Sequence, residues 1–338
     1  MPLYLHKLFW PVIFVGVNIL SKSFYLTSQS ICLDEPFTVY HAQFDLVNLT
    51  SFLEKYNNPP LFELITHFWI KLFGIGPGSI RTLPMLFSSI SVFFIYQMTI
   101  EFFNKRTAIL ASIIYTLSTV NIWFAHDCRV YSLFVLLTVI SFYLFFKLLK
   151  EPSEFKTRKL IVFSFINLLL IYGHYFGFIV WGLEFLIVCL FFLRSNPVIK
   201  KYAITIVIGL TAYLPQLIIL WQRTKQHINN GTWVEPPKGI ESLYNMLWSF
   251  CNEPIPTVVC IVLLLSTITV FFIRKKKTPV HPYTKYIIIW FLVPFIGMFL
   301  ISYKIPMYID RYLIFISPAF YILLALSISY LFKDQKNI

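Results

Sequence analysis

Charge is scarce in this sequence. Only 13% of its 338 residues are Asp, Glu, Lys or Arg, about half the share of an ordinary soluble domain. With 58% hydrophobic residues and a mean hydropathy of +0.72, it has too little polar surface to cover a soluble fold. Acids are the scarcer sign, 15 against 28 Lys and Arg, which leaves a net charge of +13. Glycine is also sparse, at 11 residues, and no Walker A, Rossmann or GxSxG motif is present. A soluble nucleotide is therefore not indicated as a substrate, and attention shifts to substrates already in the membrane. The five cysteines show neither CxxC nor metal-ligand spacing. Cys32, Cys128 and Cys251 fall in predicted outer loops, where a disulfide is open to them but the sequence cannot pair them. Histidines 41, 67, 126 and 174 also fall outside, without HExxH spacing, so the sequence requires no cofactor and leaves a divalent metal unsupported.

What is there is apolar and aromatic: 19% of residues are Phe, Tyr or Trp, and Phe alone occurs 36 times. A spanning helix needs roughly 20 apolar residues. About ten runs qualify, near 8–26, 80–99, 107–125, 130–149, 159–174, 176–193, 203–221, 256–273, 285–303 and 312–332. The first is read as a retained signal anchor. The expectation is an all-α polytopic membrane protein, one domain over 1–338. Alternate gaps hold the basic residues: Lys105-Arg106, then Lys147 to Lys159, Arg194 to Lys201, Arg274 to Lys277, and Lys333 and Lys336. The positive-inside rule puts these gaps and both termini in the cytoplasm of an inner-membrane protein. The basic charge thus orients the chain and attracts anionic lipid headgroups, with no call for nucleic acid.

Most acids lie in the opposite gaps, of which 27–79 and 222–255 are the longest. The first holds CLDEPFTVYHAQFDLVNLTSFLEKYNNPP at 32–60, the most polar stretch of the chain. Phe37, Tyr40, Phe44 and Val47 recur at helical spacing, which predicts an interfacial helix over 36–48. LFELITHFWIKLF predicts a second, ended by Gly74. Asp34 and Glu35 sit at the loop's centre; their alternatives are a solvated loop or a helix N-cap. Asp127 and Arg129, in WFAHDCRVYSL, are close to membrane depth, where ionisable groups mark function, or else form an ion pair capping two helix ends. Asp310 and Arg311, in PMYIDRYLIF, open the last run. An outer Arg is suited to bidentate phosphate contacts or to simple anchoring, and Lys304 is a weaker candidate for the same work. Asn58, His126 and His174 complete the candidate substrate pocket, although a lone His is more often structural. Trp233, Pro236 and Pro237 could line a sugar site or merely pack the loop.

Five stretches, LDEPF (33–37), NNPPLFELI (57–65), SIRTLPMLFS (79–88), AHDCRVYSL (125–133) and DRYLIFISPAF (310–320), resemble in order and placement the GT-C membrane glycosyltransferases. The resemblance is to family 39, which holds protein O-mannosyltransferases and aminoarabinose transferases. It implies a GT-C helical bundle with two interfacial helices in the first outer loop. It implies a polyprenyl phosphate sugar as donor, used on the extracytoplasmic face, with a glycan, lipid or protein acceptor. It places the catalytic carboxylate at Asp34, supported by Glu35, and donor binding at Arg129, Tyr131 and Arg311. His126 and Asp127 stand where relatives carry an amide and a glutamate. A phosphate-linked sugar has a good leaving group, so one carboxylate acting as base suffices, and attack opposite the phosphate inverts the anomeric centre. The rival is a transporter or lipid flippase, which would carry its charges at mid-membrane depth.

Overall fold

The computed structural model describes residues 3–53, 59–230, 233–273 and 281–332, whose regular elements are all helices, with no strand among them. Asn58, the basic gap at 274–277, Lys333 and Lys336 lie outside the described residues. The helices are α1 (Leu3–Ser23), α2 (Glu35–Ala42), α3 (Leu46–Leu53), α4 (Leu61–Phe73), α5 (Pro77–Phe102), α6 (Lys105–Leu117), α7 (Thr119–Ala125) and α8 (Tyr131–Lys150). After them come α9 (Thr157–Gly173), α10 (Gly177–Phe191), α11 (Asn196–Asn230), α12 (Glu241–Cys251), α13 (Pro254–Ile273) and α14 (Thr284–Ile301). The last run is α15 (Asp310–Leu313), a 3-10 turn (Ile314–Ile316) and α16 (Ser317–Leu331).

The chain is a multi-pass helical membrane protein, with fewer spans than its hydropathy suggests. Six helical stretches are long and apolar enough to cross a membrane among the described residues, or seven if the bent pair α6 and α7 is one span. The expected ten included runs near 8–26, 159–174 and 176–193. These fall on an apolar stretch Leu8–Ser23 and on helices of 17 and 15 residues. A 15-residue helix rises about 22 Å, short of a hydrocarbon core of about 30 Å. The break at His174 separates two pieces that the hydropathy profile nearly joins.

The first outer loop also differs from expectation. The helix predicted over 36–48 is two helices, because Asp45 interrupts it. Its Oδ1 accepts the N–H groups of Val47 and Asn48, both at 3.0 Å, and so caps α3 instead of continuing α2. α4 ends as predicted at Gly74, whose φ of +78° suits a residue without a side chain.

α5 is the central helix and packs on α1, α4, α6, α7 and α8. α16 closes the other side against α6, α13 and α14. Phe142 of α8 stacks on the buried Trp290 of α14, centroids 4.0 Å apart, and the Trp290 indole donates to the Phe315 carbonyl at 3.1 Å. Polar side chains bond across helices, as they must where no water is at hand. Asn18 donates to Thr116 at 2.6 Å and the buried Lys22 to Ser88 at 2.8 Å. Leu214 and Trp221 on α11 and Val262 and Phe272 on α13 are exposed, a surface suited to acyl chains.

The bend between α6 and α7 is 59°. Ser118 caps α7 by accepting from Asn121 N–H. Asn252, just past α12, satisfies both sides of the break: its Oδ1 accepts from Thr119 N–H at 2.8 Å and its Nδ2 donates to the Leu117 carbonyl at 3.0 Å. α7 thereby turns towards residues 126–130.

Candidate functional site

Asp34 and Glu35 adjoin in sequence and part in space. Leu33 has a φ of +56°, strained for a residue with a branched side chain. Glu35, which opens α2, is only 2% exposed. Its two oxygens accept from Arg81 of α5, Nε to Oε1 at 2.9 Å and Nη2 to Oε2 at 2.6 Å. They also accept the backbone N–H groups of Cys32 at 3.2 Å and Cys128 at 3.1 Å. Arg81 donates further to the carbonyls of Leu26, Gln29 and Ser30, so five bonds use all five of its N–H donors. This buried pair ties the loop after α1, the start of α2 and the loop before α8 to the central helix.

Asp34 takes the N-cap position of α2 but makes no cap bond, which removes the plain N-cap reading. Its carboxylate lies at the surface, where Oδ2 accepts from Arg311 Nη1 at 2.7 Å. Arg129 approaches from the other side. Its Nη1 donates to Thr38 Oγ1 at 3.0 Å and to the Asp34 carbonyl at 3.4 Å, and its guanidinium lies 5.5 Å from the Phe37 ring. The buried Tyr131 hydrogen-bonds Arg311, which also sits 5.2 Å from the Trp233 ring. Asp34, Arg129, Tyr131 and Arg311 thus converge from three separate parts of the chain. Unlike Arg81, neither Arg129 nor Arg311 spends all its donors on protein among the described residues.

The remaining candidates divide. Asp127 is half-buried, with no hydrogen bond or salt bridge to its carboxyl among the described residues. Burial pushes its pKa from 3.8 up to about 7, against the pull of Arg129 and with a push from Glu35 and Asp34. His126 donates from Nε2 to the Lys22 carbonyl at 2.5 Å, and burial lowers its pKa. His174 stacks on Phe134 at 4.5 Å and accepts from Phe176 N–H through Nδ1 at 3.1 Å. Burial, aided by Arg129, drives its pKa down to about 3, so it is a neutral packing residue at the α9–α10 break. Asp310 caps its neighbour by accepting from Arg311 N–H at 2.7 Å. Lys304 is exposed between α14 and α15 and makes no ion pair among the described residues. All five cysteines are free. No group of three or more His, Cys, Asp or Glu could hold a metal ion among the described residues. The Asp34 and Glu35 carboxylates are bound by guanidinium groups instead.

Sequence reasoning gave no role to Arg81. The available signal was an arginine in an otherwise apolar span, costly there unless paired.

Residues 57–219 match the family of dolichyl-phosphate-mannose-protein mannosyltransferases. Among solved structures, ArnT from Cupriavidus metallidurans bound to undecaprenyl phosphate superposes with a TM-score of 0.66 at 14% identity, over 95% of this chain and 60% of that one. Its apo form gives the same score and identity. The fold is that of the GT-C membrane glycosyltransferases. The archaeal oligosaccharyltransferase AglB from Archaeoglobus fulgidus, in complex with an inhibitory peptide and a dolichol-phosphate, superposes with a TM-score of 0.58 at 12% identity, over 96% of this chain and 50% of that one. The chain therefore spans half to three-fifths of the length of these GT-C structures. No curated protein matches its sequence.

Proposed function

We propose that this protein is an integral membrane glycosyltransferase that moves a sugar from a polyprenyl phosphate to a hydroxyl acceptor on the extracytoplasmic face. The observation that carries the reading is the convergence of Asp34 with Arg311 and Arg129. Support comes from a fold shared with proteins solved with undecaprenyl phosphate and dolichol-phosphate. The basic gaps at Lys105-Arg106, Lys147 to Lys159 and Arg194 to Lys201 lie across the membrane from the Asp34 loop, which favours an extracytoplasmic site.

In the proposed step, the donor phosphate binds the unspent N–H groups of Arg129 and Arg311, and Tyr131 holds the Arg311 guanidinium. The phosphate competes for Arg311 and releases Asp34 from its ion pair. Asp34 then takes the proton of the acceptor hydroxyl as its oxygen bonds to the anomeric carbon. The bond from that carbon to the phosphate oxygen breaks, and its electron pair leaves with the lipid phosphate, where the two arginines stabilise the charge. The anomeric configuration inverts. Glu35 contributes by holding the loop rather than by touching substrate.

The test is an assay of purified protein in lipid with a panel of radiolabelled polyprenyl phosphate sugars, with and without chelator. Release of free polyprenyl phosphate with labelling of an envelope acceptor fraction is expected, and the chelator arm reads whether the step uses a divalent metal. Movement of intact donor across the bilayer without bond cleavage would instead establish the transporter reading.

A further inference from the structure

A cavity of about 340 Å³ lies between the loop after α1 and helix α7. It is lined by Leu33 and Glu35, the neighbours of Asp34 on either side, but not by Asp34 itself, whose carboxylate is at Arg311. Its walls include the rings of Tyr25 and Trp123, which are 82% and 60% exposed. Its chemistry is the opposite of the phosphate-facing side. The one guanidinium that lines it, Arg81, has every N–H donor engaged, and the Glu35 carboxylate is engaged in turn. An anion finds no free cationic partner here. The side chains of Gln29 and Asp127, by contrast, line the cavity without hydrogen bonds among the described residues.

Backbone strain gathers at the same place. Among the described residues, three non-glycine residues have positive φ: Tyr25 at 60°, Leu33 at 56° and Asn252 at 75°. The first two line the cavity, and the amide of the third holds Thr119, another lining residue, through its N–H and hydroxyl. Strain of this kind clusters at functional sites.

We infer that this cavity is the acceptor subsite, and that it takes a neutral saccharide, stacked on Trp123 and Tyr25 and hydrogen-bonded by Gln29 and Asp127. The assignment rests on the proposed transferase reading, and on a cavity wall formed by the residues on either side of Asp34. Aromatic faces beside free amide and carboxyl groups suit the apolar ring faces and hydroxyls of a sugar.

The experiment is saturation-transfer NMR with the full chain in lipid nanodiscs. One arm uses soluble trisaccharides of glucose, galactose and N-acetylglucosamine; the other uses nanodiscs doped with a galactolipid. Signal in the first arm marks a free glycan, and signal confined to the second marks a glycolipid headgroup; either supports the subsite. Trp123→Leu keeps an apolar side chain for the membrane interface and removes the ring face. It should weaken saccharide binding about fivefold, equivalent to about 1 kcal/mol of stacking, while undecaprenyl phosphate still binds. Gln29→Leu, on an exposed loop, should weaken it about threefold if Trp123→Leu does not fold, equivalent to a hydrogen bond of about 0.7 kcal/mol. Undecaprenyl phosphate should not displace the saccharide. Absence of saccharide signal in both arms, equal signal in the folded variants, or displacement by the lipid phosphate overturns the subsite. Undecaprenyl phosphate binding that depends on Arg311 would keep the transferase reading standing in that event, and its absence would sink that reading separately.

Discussion

Two adjacent carboxylates, each paired with an arginine, have opposite fates in this protein. The Glu35–Arg81 pair is buried, with side chains 3% and 5% exposed, and every donor on its arginine is used. The Asp34–Arg311 pair is partly open, with side chains 53% and 31% exposed, and its arginine keeps donors in reserve. A saturated buried pair fixes geometry and has nothing left to offer a ligand. An exposed, partly satisfied pair stabilises little and can exchange partners. Burial, more than residue type, separates the holding carboxylate from the one proposed to react.

Breaking the buried pair should have the largest effect on the folded state. Arg81→Ala leaves the Glu35 charge buried and unpaired, and should cost about 3–5 kcal/mol of stability. Thermal unfolding followed by fluorescence in detergent would read this as a large fall in midpoint; a fall no greater than that of Arg311→Ala would dissolve the contrast between the pairs. Arg311→Ala should itself change stability by no more than about 1 kcal/mol. Its effect belongs to binding: losing charge-assisted hydrogen bonds of about 1.5–3 kcal/mol should weaken polyprenyl phosphate binding roughly 10- to 100-fold. Equilibrium binding in nanodiscs measures this, and an unchanged affinity would remove Arg311 from the donor site.

A smaller effect concerns Asp127, a third carboxyl at the same face without an arginine bound to it. Its pKa is raised from 3.8 to about 7, chiefly by burial. A carboxyl with a folded pKa above its unfolded one binds more protons in the folded state, so its contribution to stability falls as pH rises between those two values. Asp127→Asn should therefore match the native protein near pH 4 and be the more stable of the two above pH 7. Parallel stability curves across that range would contradict the assigned burial.

The polar loop, the Asp34-Glu35 pair, and the arginines at 129 and 311 were legible because charge is rare and stood out against apolar runs. The separate surroundings of Asp34 and Glu35 were not, since they depend on an arginine 46 residues away and on the backbone at Leu33. The count of spans failed because hydropathy does not show how short a helix is or where a run bends. The α9–α10 break at His174 leaves two short helices, and the α6–α7 bend is held by Asn252, which lies more than 130 residues downstream. Likewise Asp45 ends the helix predicted over 36–48 through a local cap that competes with apolar periodicity. His174 was placed with the pocket on its outer position alone; its ring is used in packing against Phe134.

The central claim is that Asp34 is the reacting carboxylate and Glu35 is not. The most direct measurement is single-turnover sugar transfer by Asp34→Asn in lipid, with donor binding measured on the same sample. The account predicts that donor binding and folding persist while transfer falls by about 10²–10⁴, the range of a lost general base. Transfer at the native rate by a folded, donor-binding Asp34→Asn protein would contradict it.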